Sequence, residues 1–192
     1  MAPDTAAPVL LGWPEDGPTL RLDYREFSYA GKFVMSNTGK AVIRRADARD
    51  AATDGKWDED ILAAVAFNED RTDSETLWLR YVTVREDCRG EGLGPRLCAF
   101  VAERAGPRGY ERVRIAVNNP FAYEALYKAG FAFTGEETGV AELVLERPAR
   151  ERAEQPTEQY QAGFDVYRRR KLSAAETDFL ERKHGAEPPS DE

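Results

Sequence analysis

Three alternating glycines, Gly90, Gly92 and Gly94, lie between Arg89 and Arg96 in the stretch VTVREDCRGEGLGPRL, which runs from Val82 to Leu97. Glycine keeps side chains out of the way, so successive backbone N–H groups can turn inward and close around an anion. A helical pattern opens directly behind. The start of a helix points its own unpaired N–H groups and the positive end of its dipole at the same place. Pro95 suits that first turn, because its fixed φ is already helical and its missing N–H would have found no partner. Arg89 adds a mobile positive charge at the mouth. Arg89, Gly90, Glu91, Gly92, Leu93 and Gly94 together read as a phosphate cradle.

Spacing narrows the choice of phosphate. A dinucleotide fold needs G-x-G-x-x-G, whereas the glycines here alternate as G-x-G-x-G. A triphosphatase loop needs G-x-x-x-x-G-K-[ST], but Gly39-Lys40 is followed by Ala41, and Val34 stands where the first glycine belongs. What fits is [RQ]-x-x-G-x-[GA], with Arg89, Gly92 and Gly94 behind a strand that ends at Val84. A second motif follows in order: the strand RVRIAV (Arg112 to Val117), then NNPFAYEALYKAGFAF with Asn119, Ala122 and the Gly130-Phe131 pair. Gly130 reads independently as a helix C-terminal residue and Phe131 as the first of a new strand.

These two motifs, from Leu77 to about Arg147, resemble the GNAT superfamily of N-acetyltransferases. The resemblance implies an α/β GNAT fold with a mixed twisted sheet, splayed around an acyl-coenzyme A (acyl-CoA) cleft. It implies acetyl-CoA as cosubstrate, with its pyrophosphate on residues 89–94 and its pantetheine arm paired to the backbone of Val82, Thr83 and Val84. It also gives Asn119 a hydrogen bond to that arm, beside the helix N-cap role its position suggests. The family's leaving thiolate is commonly protonated by a Tyr seven residues past that Asn. Leu126 occupies that position here, so Tyr127 inherits the role only if the helix is irregular; otherwise Tyr127 and Tyr123 are core aromatics. Glu75 is named as a candidate general base, with Asp73, Glu69 and Glu86 nearby in sequence and a water chain as the alternative. The activity implied is acetyl transfer to a primary amine of a small molecule or protein. The competing reading is a non-catalytic acyl-CoA-binding or interaction module.

Composition excludes other classes. The chain has 192 residues, 35 acidic and 27 basic side chains and a net charge of −8, which argues against a general nucleic-acid or membrane-surface binder. His184 is the only histidine, so a Ser-His-Asp mechanism or a His-based metal site is not expected. Asp50, Asp54, Gly55 and Asp58 suggest a calcium loop, but Ala52 takes a ligand position and Ile61 stands where a bidentate Glu is required. Cys88 and Cys98 read as buried free thiols. No apolar run reaches membrane-spanning length, and the N-terminus lacks the basic start of a signal peptide, so a cytoplasmic location is expected.

The elements that must position the loop follow from pattern. Residues 1–18 read as a flexible arm, residues 19–147 as the acetyltransferase domain, and residues 148–192 as a charged linker with a helical C-terminal extension. TLRLDY (Thr19 to Tyr24) reads as a first strand, REFSYA as room for one short helix, and residues 31–45 as a hairpin turning at Asn37-Thr38-Gly39. ILAAVAF (Ile61 to Phe67) and LWLRYVTV (Leu77 to Val84) read as adjacent strands. Arg80, on the second of these, could read an acidic acceptor or reach the surface. Leu93, Leu97, Phe100 and Val101 form one apolar stripe on the helix behind the loop. FAFTG and VAELVLER read as a closing hairpin. In the tail, Tyr160, Phe164 and Tyr167 make an amphipathic helix expected to pack on the chain's own domain or on a twin subunit. SAAE (Ser173 to Glu176) is a capping box that opens a last helix.

Overall fold

The computed structural model describes residues 6–46 and 55–190. The calcium-loop positions Asp50, Ala52 and Asp54 lie outside the described residues. The chain divides into two compact units, Met1–Val101 and Ala102–Glu192.

In the first unit four strands run antiparallel in sequence order: β1 (Ala6–Gly12), β2 (Gly39–Arg45), β3 (Ile61–Glu69) and β4 (Thr76–Val84). β3 is buried from Ile61 to Phe67, which explains why its sequence is continuously apolar rather than alternating. A core of Leu20, Leu22, Phe27, Ala30, Phe33, Val42, Ile61, Ala64 and Ala66 covers one sheet face. Each large member contributes about 1.5–3 kcal/mol by leaving water.

Three local expectations fail here. Ala6–Gly12, read from its Pro/Ala content as an arm either loose or ordered on contact, is not loose but a strand paired to β2. Thr19 to Tyr24 carries the alternation of a strand and buries Leu20 and Leu22, yet joins no ladder. Its backbone is satisfied instead by Leu20 N–H to Phe33 O at 2.9 Å and Asp58 N–H to Arg21 O at 2.8 Å. REFSYA is mostly turns, with Glu26 and Phe27 N–H both donating to Asp23 O, and only Ala30 enters a short 3-10 helix, Ala30–Lys32.

The expected hairpin over 31–45 supplies only its second arm, because β1 and β3 take both edges of β2 and Lys40 holds the residues before it. Its fully buried ammonium donates to Pro18 O and Met35 O, both at 2.6 Å, to Thr38 O at 3.1 Å and to Thr38 Oγ1 at 3.0 Å. That cage curls residues 18–38 around the lysine, so they cannot extend along β2. Gly39 is needed for a different reason from a turn, since a Cβ there would overlap the Phe67 ring.

α1 (Leu93–Ala105) begins in the first unit, with Leu93, Leu97 and Val101 buried as the apolar stripe requires. The second unit contains β5 (Arg112–Val117), α2 (Pro120–Lys128), β6 (Ala132–Glu137) and β7 (Leu143–Pro148). Its strands are antiparallel in the order β5-β7-β6, and β6 and β7 form the expected closing hairpin. The unit ends with α3 (Thr157–Arg168) and α4 (Ala174–Arg182). Ser173 and Glu176 close the capping box at the start of α4, and Tyr160, Phe164 and Tyr167 are buried along α3. The α/β class read from the alternation of elements is the class the chain adopts.

Candidate functional site

The glycine loop follows from its own backbone. β4 ends at Val84, a single 3-10 turn covers Glu86–Cys88, and Gly90 and Gly92 then take φ of +83° and +77°. Those are left-handed values that cost an L side chain about 1–2 kcal/mol, so only glycine is comfortable at both positions. Nothing lies within 4 Å of a Cβ built on either residue, so space is open beside the loop at both positions.

Among the described residues no hydrogen bond runs from the N–H groups of Gly90, Glu91, Gly92, Leu93 or Gly94; the first bonded amide is Arg96, which donates to Gly92 O at 3.2 Å. Five uncommitted donors at the start of α1 are the geometry and dipole that an anion site requires. Gly94 sits against β4, where an added Cβ would lie 3.6 Å from Val84 Cγ2 and 4.0 Å from Val82 Cγ1. The loop and the strand end that precedes it therefore form one piece.

Cations and strand end complete this part. Arg89 is exposed and donates to Ser28 Oγ at 3.3 Å, which ties the loop to the turn after Asp23. Arg96 is exposed one turn into α1. Arg85, just behind, is held by Asp87 at 2.6 Å, so it braces the 3-10 turn and is not free for a ligand. On β4, Val82 and Val84 are half-buried, and Thr83 is buried with its Oγ1 unpartnered among the described residues. A buried hydroxyl in that state calls for a partner, from water or from a ligand. Burial pushes the Cys98 thiol up to about 12, and burial also raises Cys88, so neither supplies a thiolate nucleophile near neutral pH.

Asn119 caps α2 as expected, accepting from Ala122 N–H at 2.9 Å, which leaves its amide N–H₂ available. Of the two roles open to Tyr127, the structure supplies the core one. Its ring is fully buried among Tyr123 and Tyr160, and its hydroxyl accepts from Phe133 N–H at 3.0 Å and from Tyr123 Oη at 3.3 Å. Burial raises its pKa. No irregularity turns it outward, and α2 stays helical from Pro120 to Lys128.

Glu75 is not brought to the loop. It is exposed in the turn before β4, where its N–H donates to Asp73 Oδ1 at 3.0 Å. Val84 lies nine residues further along the strand, roughly 30 Å away. Glu69 lies at that same far end, and Asp73 accepts from Thr76 Oγ1 at 2.7 Å. Glu86 alone is near the loop.

Two features escaped the sequence reading. Gly163 lies inside α3 where a Cβ would overlap the Tyr123 hydroxyl, so α3 seats against α2 by backbone contact; a lone glycine in a helical run was the available signal. The other is a bulge on β4. Ala66 pairs with Tyr81 and Phe67 with Leu79, leaving Arg80 as the extra residue. A bulge leaves no reliable mark in composition.

Comparison with known proteins bears on the family and the fold. The family model described as the acetyltransferase (GNAT) family matches residues 13–131. A GCN5-related N-acetyltransferase from Kribbella flavida superposes with a TM-score of 0.54 at 17% identity, covering 77% of this chain and 99% of that one. The AtaT toxin, solved with the C-terminus of the antitoxin AtaR and acetyl-CoA, superposes with a TM-score of 0.50 at 14% identity, covering 77% and 95%. At those identities the likeness is one of fold. A search of curated protein sequences finds no match.

Proposed function

This chain belongs to the acetyltransferase (GNAT) family, and we propose that it transfers an acetyl group from acetyl-CoA to a primary amine, with the diphosphate held by residues 89–94. The observation that carries this reading is the set of five uncommitted amides from Gly90 to Gly94 at the mouth of α1. A net-acidic protein must capture an anionic cosubstrate through such a local cup and not through its overall field. Arg89 and Arg96 add charge beside it.

The chemistry asks little of side chains. The neutral amine attacks the thioester carbonyl carbon, the C–S bond breaks, and coenzyme A leaves as a thiolate that takes up a proton. The nitrogen's surplus proton passes to water. The main chain of Val82 to Val84 orients the pantetheine arm and polarises the acetyl carbonyl, because a fixed strand end offers preorganised N–H donors. Holding both reactants in contact supplies most of the acceleration. Tyr127 has no part in this scheme, since its hydroxyl is sealed in the core. Nor does Glu75, which stands at the far end of β4.

Calorimetry with acetyl-CoA, followed by a thiol-release assay over a panel of amines, tests the proposal. We expect 1:1 binding and at least one amine that accelerates release. No heat and no thermal stabilisation at millimolar acetyl-CoA would overturn it.

A further inference from the structure

Beside the β4 bulge lies an open cleft of about 500 Å³. Its charged and amide-bearing lining is Lys32, Arg71, Arg80, Asp70, Asn37 and Asn68. Three cations therefore face one carboxylate, and that carboxylate is already committed. Asp70 accepts from Thr72 N–H at 2.8 Å, Thr72 Oγ1 at 2.9 Å and Asp73 N–H at 3.2 Å through one oxygen, and from Trp78 Nε1 at 2.6 Å through the other. These donors hold its pKa down at about 2, so it stays ionised with both oxygens hydrogen-bonded.

Asp70 favours the Arg80 charge from across the cleft without pairing closely with it. Among the described residues Lys32, Arg71 and Arg80 make no salt bridge; Lys32 lies over the Tyr81 ring at 5.6 Å. Arg80 Nε donates to Asn68 Oδ1 at 2.7 Å, and its guanidinium stacks over Trp78 at 5.2 Å. Those two contacts fix the guanidinium plane and leave both NH₂ groups to bind something else. Loss of water disfavours the Arg80 charge, Asp70 offsets part of that, and Arg71 is close enough to repel it. Two mutually repelling arginines on one cleft, with a lysine opposite, are stabilised by an anion between them.

Position gives the anion its meaning. Arg80 precedes Val82 by two strand residues, about 6–7 Å, which is the length of a small amino acid. Resting on the acetyl-transfer reading for its direction, we propose that this cleft anchors the acceptor, and that the acceptor is a small primary amine carrying an anionic oxygen group, carboxylate or phosphate. The anion sits on Arg80, Arg71 and Lys32, and the amine reaches back along β4 toward the acetyl group. The bulge is what turns Arg80 to this duty, because an unpaired strand residue is free of the ladder's alternation.

The test is a set of initial rates at saturating acetyl-CoA on amine pairs that differ by the acidic group: 4-aminobutyrate against propylamine, and phosphoethanolamine against ethanolamine. Charge-assisted hydrogen bonds of ordinary strength give the acidic member a KM at least about tenfold lower, with kcat little changed. The Arg71→Gln/Arg80→Gln double variant should bring the ratio toward one while leaving the acetyl-CoA affinity intact. Whichever pair shows the ratio assigns carboxylate or phosphate. Equal KM values in the wild type, or a ratio that survives the double variant, overturns the proposal.

Should no amine in the panel turn over, succinate and inorganic phosphate are titrated into the protein with coenzyme A present to occupy the glycine loop. Binding by the wild type that the double variant loses supports the anion site, and no binding by the wild type overturns it. Acetyl-CoA affinity, measured separately, reports whether the acetyl-transfer reading itself stands.

Discussion

Gly92 is the residue on which the proposed phosphate cradle turns. Its φ of +77° is reached with open space around it, so a methyl group added there meets no atom and acts only through the backbone. Gly92→Ala should cost about 1–2 kcal/mol of local strain and tip the loop toward a conformation with fewer inward amides. We expect acetyl-CoA binding weakened about tenfold, read by calorimetry, with far-UV circular dichroism unchanged. Undiminished binding would show that the amides of this loop do not hold the ligand. Gly92 was legible in the sequence because a left-handed backbone demands a residue type. Tyr127 was not, since tyrosines at i and i+4 look the same whether they line a cleft or fill a core. Its full burial and the hydrogen bond from Phe133 N–H decide between those roles.

At the scale of elements, the strands around the loop were read well because burial wrote them plainly. Ile61 to Phe67 is apolar without interruption, and Leu93, Leu97 and Val101 fall on one face. Residues 19–38 were misread because Leu20 and Leu22 show the alternation of a strand while the segment bonds to the loop residues Phe33 and Asp58. The lysine that organises this segment, Lys40, sits on β2 and carries no local mark of its burial. In the second unit α3 is seated by Gly163, and the test follows from contact. Gly163→Ala forces a methyl group into the Tyr123 hydroxyl, an overpacking that should cost about 1–3 kcal/mol. A fall in Tm of about 3–10 °C in differential scanning calorimetry is the expected outcome. An unchanged Tm would mean that α3 can shift at no cost.

Taken whole, the molecule is an acidic protein that must bind an acidic ligand. With a net charge of −8 spread over the chain and a few arginines gathered near one loop, its distant field opposes coenzyme A while its local field attracts it. Added salt screens the first more than the second, because the Debye length shrinks to about 10 Å at 0.1 M. The association rate for acetyl-CoA in stopped flow should therefore rise as salt goes from about 10 to 100 mM, and a steep fall would show that long-range steering dominates. Among the described residues no helix is long and apolar enough to cross a membrane. Composition disclosed the charge, but not its arrangement. The gathering of Lys32, Arg71 and Arg80 around one cleft joins residues from three separate segments, which no local pattern could reveal.

Amide nuclear magnetic resonance reads the central claim most directly, because the proposed contact is made by main-chain N–H groups. Titrating acetyl-CoA into the labelled protein should move the Gly90, Glu91, Gly92, Leu93 and Gly94 amides downfield together, as charge-assisted hydrogen bonds to phosphate form. If those five signals stay in place while acetyl-CoA binds and shifts amides elsewhere, the diphosphate is not held at the start of α1 and the account fails.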